Sequence, residues 1–253
     1  MIKLAVNGAL GRMGSRILAL AQEQPNQYTV AHKFDVKDEE SLLPYAKGEK
    51  KLVCDVLIDF SGPDGANWSA TAAHLSKKAV VIGSTGLDEE SVKKITAISK
   101  EIPIVLSSNM SVGVNLVAEL LETASRKLPK EFNVRITEAH HIHKKDAPSG
   151  TALMLANAIA RAKQWNIAEL LKAWKAGKFD EKGSGDKIGM KVIRDGDVVG
   201  DHSVFFEGPA ETIEIRHHAQ SRDTFARGAL LAAQFAAKKS NGLYTMQDVL
   251  KEN

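Results

Sequence analysis

Short apolar runs alternate with longer amphipathic segments in the first half of the chain. The apolar runs predict strands at residues 3–6, 28–34, 52–60, 79–83 and 102–106, and most of the intervening segments are long enough for a helix. Parallel neighbouring strands need a long crossover connection, so this alternation predicts a parallel sheet with helices on its faces. Ligands of such sheets bind beyond the carboxyl ends of the strands, where glycines and polar residues cluster in this half.

The pattern changes after a predicted helix at residues 112–127. Strands are predicted at 133–138, 187–194, 198–206 and 212–215, and another helix begins at Thr151. The dipeptide Asp195-Gly196 is typical of a type I′ turn, so the two runs that flank it predict a hairpin. This half is therefore predicted to form an α+β domain with a mainly antiparallel sheet.

The change of pattern predicts two domains. We expect a Rossmann-like, parallel-sheet α/β domain over residues 1–111 and the α+β domain over 112–221. Residues 222–253 return to helical character and are predicted to complete the first domain. The segment 163–187 is rich in Lys, Gly and Asp and is interpreted as a solvated helix and loop.

Composition excludes several classes of protein. The 34 basic and 31 acidic residues give a formal charge of +3 without a basic run, so nucleic acid is not an implied partner. Cys54 is the single cysteine, which excludes an intrachain disulfide and a cysteine metal cluster and fits a reducing, cytoplasmic setting. No export signal and no run of about 18 apolar residues is visible, so we expect a soluble protein without a membrane partner.

A glycine-rich turn follows the first predicted strand and opens a helix. Its residues are Gly8, Ala9, Leu10, Gly11, Arg12, Met13 and Gly14. Glycines allow a tight turn and close approach of a pyrophosphate to helix N–H groups, so a dinucleotide is the favoured ligand, although a purely structural turn gives the same pattern. Asp35 ends the second predicted strand, where a carboxylate can accept hydrogen bonds from ribose hydroxyls. The alternative is that Asp35 is a surface turn residue.

Three histidines crowd the segment 138–151 just before a helix. A metal site is one interpretation, but His140 and His141 are adjacent on a strand end and point apart, and no cysteine accompanies them. A polar surface loop is another. The third is a site for an anion and a proton, because the turn before the helix offers backbone N–H groups to a carboxylate. An imidazole with an ordinary pKa of about 6.5 would let His140 move a proton at neutral pH.

Several ordered motifs together resemble the dihydrodipicolinate reductase family. They lie at residues 8–14, 59–61, 83–86, 109–115 and 138–151, and continue at 194–202, 211–217, 221–222 and 225–226. The segment 138–151 is the most diagnostic. The similarity spans nearly the whole chain and is weakest at 36–51 and 163–187.

This resemblance implies an enzyme of lysine and diaminopimelate biosynthesis that reduces a cyclic dicarboxylate with NADH, NADPH or both. It implies that His140 assists proton transfer and that Lys144 donates the proton. The implied dicarboxylate ligands are His141, Ser149, Gly150 and Thr151. The implied lining of the nicotinamide end is Gly83, Ser84, Thr85, Ser107, Ser108, Asn109 and Met110. No metal is implied.

The resemblance also implies a homotetramer joined through the sheets of the second domain, with the C-terminal helix folded back on the nucleotide domain. Three positions depart from the family pattern: Ser84 stands where Thr is frequent, Met110 where Phe is usual, and Val36 where Arg often follows the acidic residue. Only Val36 bears on the choice of cofactor.

Two other interpretations remain. Another two-domain amino-acid or aldehyde dehydrogenase would share the layout, but an aldehyde enzyme that forms a thioester needs a catalytic cysteine, and Cys54 lies in an apolar run. A nucleotide-sensing regulator of the same fold would need neither His140 nor Lys144, so the presence of both favours an enzyme.

Overall fold

The computed structural model describes residues 1–36 and 41–252. The chain divides into two compact units, Met1–Val112 with Arg222–Asn253, and Gly113–Ser221. In chain order the elements are β1 Ile2–Asn7, α1 Arg12–Gln22, β2 Tyr28–Phe34, α2 Leu43–Ala46, β3 Val56–Asp59, α3 Pro63–Ser76, β4 Ala79–Ile82, α4 Glu89–Ile98, β5 Pro103–Leu106, α5 Val112–Lys127, β6 Asn133–His140, α6 Gly150–Lys163, α7 Ala168–Lys175, β7 Ile188–Arg194, β8 Asp201–Glu207, β9 Thr212–His218, α8 Asp223–Ala236, β10 Gly242–Tyr244 and α9 Met246–Leu250.

The first unit is built on a parallel sheet of the order β10-β5-β4-β3-β1-β2. Every residue of β3 and β4 is buried, which explains why these strands are continuous apolar runs instead of alternating ones. The predicted Rossmann-like sheet is confirmed. The edge strand β10 was not predicted, because its three residues carry no apolar run.

The helix α8 packs within the first unit, against α1 and the central strands. Its buried face consists largely of alanines, which let the helix approach closely, and Gly228 lies directly against the Met110 carbonyl. On the outer side, the Arg16 guanidinium donates two hydrogen bonds, of 2.7 and 2.8 Å, to the Asp223 carboxylate and so joins α1 to α8.

The second unit contains a four-stranded sheet of the order β7-β6-β8-β9. Strand β6 pairs in parallel with β7 and antiparallel with β8, and β8 pairs antiparallel with β9. The mainly antiparallel sheet is confirmed, but the predicted hairpin is wrong, because β6 lies between β7 and β8. Gly196 does lie in a turn with positive φ, but Asp195 lacks the positive φ of a type I′ turn, so the dipeptide predicted a turn here but neither its type nor the pairing of the strands.

The interpretation of residues 163–187 as a solvated helix and loop is correct about the helix but wrong about its exposure. The amphipathic helix α7 places Trp174 fully in the core of the second unit, where Ile167 is also buried. Charged residues outnumber apolar ones in this segment, so its composition gave no indication that the large Trp174 side chain would be buried. Because Trp174 packs in the core, the segment is part of the second unit and not a surface insertion.

Two further expectations concern the membrane and the cysteine. Among the described helices, none combines the length and apolar character that a membrane crossing requires. Cys54 is buried just before β3, not within a strand as the apolar run suggested. Burial raises the pKa of its thiol to about 12, so the thiol stays protonated at neutral pH and is unsuited to act as a nucleophile.

Candidate active site

The glycine turn lies at the carboxyl end of β1, as predicted. Gly8 has a φ of +81°, and a Cβ added there would lie 2.7 Å from the Phe60 carbonyl oxygen, so only glycine fits. The amides of Gly8 and Ala9 both donate to the Phe34 carbonyl, at 2.9 and 3.0 Å, which fixes the turn against the end of β2. The turn is therefore preformed in the chain itself.

The start of α1 provides the donors for an anion. The first hydrogen bond of this helix runs from the Ser15 amide to the Gly11 carbonyl, at 3.0 Å. The amides of Arg12 and Met13 precede it and have no intrahelical acceptor. Together with the helix dipole they fit a pyrophosphate.

Asp35 lies beside this turn, at the end of β2. Its carboxylate accepts a hydrogen bond of 3.0 Å from the Leu10 amide, so one oxygen is tied to the glycine turn. The Leu10 side chain itself is exposed. The residues of this corner therefore fit the diphosphate and adenosine ribose of a dinucleotide.

The loops predicted to line the nicotinamide end follow β4 and β5. In the first loop Gly83 and Ser84 are buried and Thr85 is exposed. In the second loop Ser108 is exposed, whereas the Ser107 hydroxyl donates to the Asn109 carbonyl at 2.8 Å. The Asn109 side chain accepts from the Ser111 amide, also at 2.8 Å.

Two of these loop side chains point inward. Met110 is buried in the core of the first unit, and the Ser84 hydroxyl donates to the buried Asp59 and accepts from the Gly62 amide. In this arrangement a cofactor would meet the backbone at Ser84 and Met110 more than their side chains.

The titratable side chains of the candidate site in the second unit cluster at the end of β6. Alternation places Glu138 and His140 on the same buried face of the strand. His140 Nδ1 lies 3.5 Å from Glu138 Oε2. His202 on β8 is directly opposite Glu138, and the rings of His140 and His202 meet edge to face at 5.0 Å.

Glu138 is fully buried but well compensated. Both of its oxygens accept from the Ser149 amide, at 3.1 and 3.0 Å, and Oε1 also accepts from the Arg194 guanidinium at 3.1 Å. A buried carboxylate with an ion-pair partner and an amide donor avoids the large penalty of an isolated charge.

Ser149 caps α6 and is held from two sides. Its hydroxyl accepts from the Ala152 amide at 3.1 Å and lies 3.0 Å from His202 Nε2, while its amide is bound by Glu138. The side chain is buried and supports the turn, and its part in binding the dicarboxylate stays a prediction. Gly150 is exposed with open space at its Cβ position, and its amide begins the helix, which leaves this amide as the donor for a carboxylate.

The protonation of His140 differs from the sequence-based expectation. Burial lowers the pKa of His140 to about 4, and the nearby positive charges of Lys144 and Arg194 reinforce this against the opposing effect of Glu138. Burial likewise lowers the pKa of His202 to about 3. Both imidazoles are therefore neutral at pH 7, and the ordinary value near 6.5 does not apply to His140.

Lys144 lies in the loop after β6. Its ammonium is 2.8 Å from the Asp146 carboxylate, and its amide donates to the His141 carbonyl at 3.1 Å. The ion pair lowers the pKa of Asp146 despite partial burial. His141 is half-buried and lies outside the Glu138 cluster, so the structure groups His140 with His202 instead of with its neighbour.

The cluster could also be compared with a metal site. One ligand atom from each of Glu138, His140 and His202 lies within 4.8 Å of the others. However, the Arg194 guanidinium is already paired with this carboxylate, and the Ser149 amide occupies both of its oxygens. A fixed positive charge beside the trio's only carboxylate opposes a cation.

Glu138, Arg194 and His202 were not singled out as site residues by the sequence patterns. Glu138 could have been predicted as a site residue, since it alternates with His140 on a predicted strand. His202 and Arg194 could not have been predicted, because they come close to Glu138 only through the pairing of β6 with both β8 and β7.

A Rossmann-like unit with a glycine turn, and a separate unit with Lys144 and the helix start at Gly150, are the layout expected of a two-domain, nicotinamide-dependent oxidoreductase. Residues 2–110 match the family model for the dihydrodipicolinate reductase N-terminus, and residues 113–250 match the model for its C-terminus. The chain belongs to the dihydrodipicolinate reductase family and is an NAD(P)H-dependent oxidoreductase, which confirms the resemblance and the predicted class of enzyme.

Individual relatives agree over almost the full length. The 4-hydroxy-tetrahydrodipicolinate reductase of Geobacter metallireducens is 40% identical over 264 residues, covering 99% of each chain. The enzyme of the same name from Aquifex aeolicus is 41% identical and covers 98% of each chain. A dipicolinate-bound dihydrodipicolinate reductase from Paenisporosarcina sp. TG-14 shares the fold, with a TM-score of 0.74 at 22% identity and 97% coverage of both chains.

Proposed function

We propose that the protein reduces the ring of 4-hydroxy-tetrahydrodipicolinate to tetrahydrodipicolinate with NADH or NADPH, in lysine and diaminopimelate biosynthesis. The observation that carries this proposal is the conjunction, at the end of β6, of a lysine ammonium, a neutral buried histidine and a helix start open to a carboxylate. A regulator that only senses nucleotides needs none of these groups.

The reduced nicotinamide supplies a hydride to the unsaturated ring when it is bound. The chain supplies position and a proton. The Arg12 and Met13 amides and Asp35 would hold the diphosphate and ribose, and the Gly150 amide, with Thr151 and His141, would receive a ring carboxylate.

Lys144 is the proposed proton donor. It is the partly buried cation of the loop, paired with Asp146, whereas the adjacent Lys145 is exposed. His140 is neutral at pH 7 and would place the ring by a hydrogen bond. Asp146 holds the Lys144 ammonium at 2.8 Å until a dianionic substrate competes for it. The 4-hydroxyl group leaves as water, which gives the conjugated dihydrodipicolinate ring that accepts the hydride. The ammonium then transfers its proton to the ring atom that gathers charge, so each turnover adds one hydride and one proton and releases one water.

The homotetramer is part of the same proposal. Strand β9 is the edge of its sheet, and exposed polar residues alternate along it with half-buried ones. An edge strand of this kind is available for pairing with another chain.

The activity is tested by a coupled assay. A synthase generates the cyclic dicarboxylate in situ, and oxidation of NADH or NADPH is followed by absorbance. We expect oxidation only when the dicarboxylate is formed. No turnover with freshly generated substrate would refute the reductase function.

NADH is expected to serve at least as well as NADPH. Asp35 can accept hydrogen bonds from both ribose hydroxyls of NADH, whereas the 2′-phosphate of NADPH would bring like charges together. Arg12 and Lys33 are exposed and could partly offset this repulsion, but the exposed Val36 cannot pair with a phosphate. Lys37, another candidate partner, lies outside the described residues.

The test is the ratio of kcat/KM for the two cofactors. A preference for NADPH of about tenfold or more, equivalent to about 1.4 kcal/mol, would show that the basic neighbours outweigh Asp35.

Activity is expected to survive strong chelators. The Glu138 cluster is compensated by Arg194 and Ser149, so the proposed chemistry needs no metal. The measurement compares kcat before and after prolonged incubation with EDTA or 1,10-phenanthroline, followed by their removal. Loss of activity that zinc restores would revive the metal interpretation.

A further inference from the structure

A buried carboxylate lies beneath the cofactor loops of the first unit and has no role in the proposed chemistry. Asp59 ends β3 and is fully buried. Its Oδ1 accepts from the Asn7 amide group at 2.9 Å, from the Ser61 hydroxyl at 2.6 Å and from the Ser69 hydroxyl at 3.0 Å. Its Oδ2 accepts from the Ser84 hydroxyl at 2.5 Å.

A charge in this position is expensive unless several donors surround it. Burial raises the pKa of Asp59, and the four side-chain donors lower it in opposition. If the cluster served only for packing, apolar side chains could fill the same volume without the desolvation penalty of a buried charge. The number of donors therefore points to a requirement for the carboxylate itself.

The donors come from the segments that surround the proposed dinucleotide. Asn7 precedes the glycine turn, and its side-chain oxygen accepts from the Gly8 amide at 3.1 Å. Ser84 belongs to the loop after β4, and its hydroxyl accepts in turn from the Gly62 amide at 2.9 Å. One carboxylate thus connects the glycine turn, the start of α3 and the loop at 83–85.

The Ser84 hydroxyl has no proton left for a cofactor. It gives its hydrogen to Asp59 and receives one from Gly62, so its bonds fix the loop from the inside. Asp59 therefore fixes the position of the Gly83 and Thr85 backbone through the residue between them, Ser84.

We propose that Asp59 is a positioning residue for the nicotinamide end of the cofactor, acting through Ser84. This inference rests on the proposed function in one respect, that the loop at 83–85 lines the nicotinamide. Ser69 provides the contrast, because it bonds to the same carboxylate from within α3 and its other bond, 3.0 Å from the Asn7 amide group, does not reach the loop at 83–85.

Ser84→Ala and Ser69→Ala form a matched pair. Each removes one buried hydroxyl that donates to Asp59, so the two losses of stability should be similar. Only Ser84→Ala releases the loop, and we expect it to raise the Kd of NADH about tenfold and to lower kcat by at least as much, while Ser69→Ala changes either by less than about twofold. Ser84→Thr keeps the hydroxyl and should recover most of the loss.

The measurements are NADH binding by fluorescence titration, kcat and KM, and the thermal midpoint of each variant. Asp59→Asn is expected to exceed Ser84→Ala in both effects, but the serine pair decides the question even if that variant does not fold. Equal effects of the two serine variants on Kd and kcat, or unchanged NADH binding in Ser84→Ala, would overturn the proposal. Failure of the unmodified protein to bind NADH would instead overturn the proposed function.

Discussion

Lys144→Ala is expected to lower kcat by about 100-fold or more, the range for loss of a positioned proton donor. Burial keeps His140 neutral at pH 7, so it cannot replace the ammonium as a cationic acid. Lys144 lies in the unit Gly113–Ser221, whereas the glycine turn lies in the other unit, so the Kd of NADH should stay within about twofold of the unmodified protein.

Lys145→Ala is the matched control for this variant. Lys145 is the adjacent lysine, carries the same charge and is exposed. Both variants lose one positive charge from the same loop, so a general electrostatic effect on a dianionic substrate would appear in both. Turnover by Lys144→Ala equal to that of the Lys145→Ala control would refute the assignment of the proton donor.

Gly14→Ala is expected to have the largest effect on the cofactor. A Cβ at Gly14 would lie 2.1 Å from the Gly8 carbonyl oxygen and 2.8 Å from the Ala9 Cα, and backbone atoms cannot yield as a flexible side chain does. In an ordinary helix the change would add about 1 kcal/mol of stability. Here we expect the free energy of unfolding to fall by about 1–3 kcal/mol and the Kd of NADH to rise by about 100-fold.

Gly11→Ala gives a graded comparison. A Cβ at Gly11 would meet the same Gly8 carbonyl oxygen at 3.1 Å, a distance that a small shift relieves. Its effects on NADH binding and on the thermal midpoint should therefore be clearly smaller than those of Gly14→Ala. A Gly14→Ala protein that is more stable than the original and binds NADH normally would show that the turn is not held as the structure indicates.

Features that depend on neighbouring residues could be predicted from the sequence. The strands β1 to β5 were all predicted from apolar runs, and in β3 and β4 the run is continuous because burial on both faces removes alternation. The glycine turn and Asp35 were found because a strand, glycines and a helix follow one another directly in the chain. The prediction placed β3 from 52 to 60, whereas the strand is only Val56–Asp59, because buried coil residues are equally apolar.

Features that depend on pairing between distant segments could not be predicted. The predicted hairpin at Gly196 is wrong because β6 lies between β7 and β8 and pairs with both of them. No local sequence pattern indicates this pairing. The same pairing brings both His202 and Arg194 to Glu138. The neutral state of His140 follows from this burial, so its pKa could not be foreseen from the residue type.

Direct transfer of a hydride from the nicotinamide to the ring can be followed with NADH that carries deuterium at both C4 positions. The synthase-generated dicarboxylate is reduced to completion, and the product is examined by mass spectrometry. We expect one deuterium in each molecule of tetrahydrodipicolinate formed, and one NADH consumed for each. Oxidation of NADH that leaves the dicarboxylate product free of deuterium would contradict the proposed reaction.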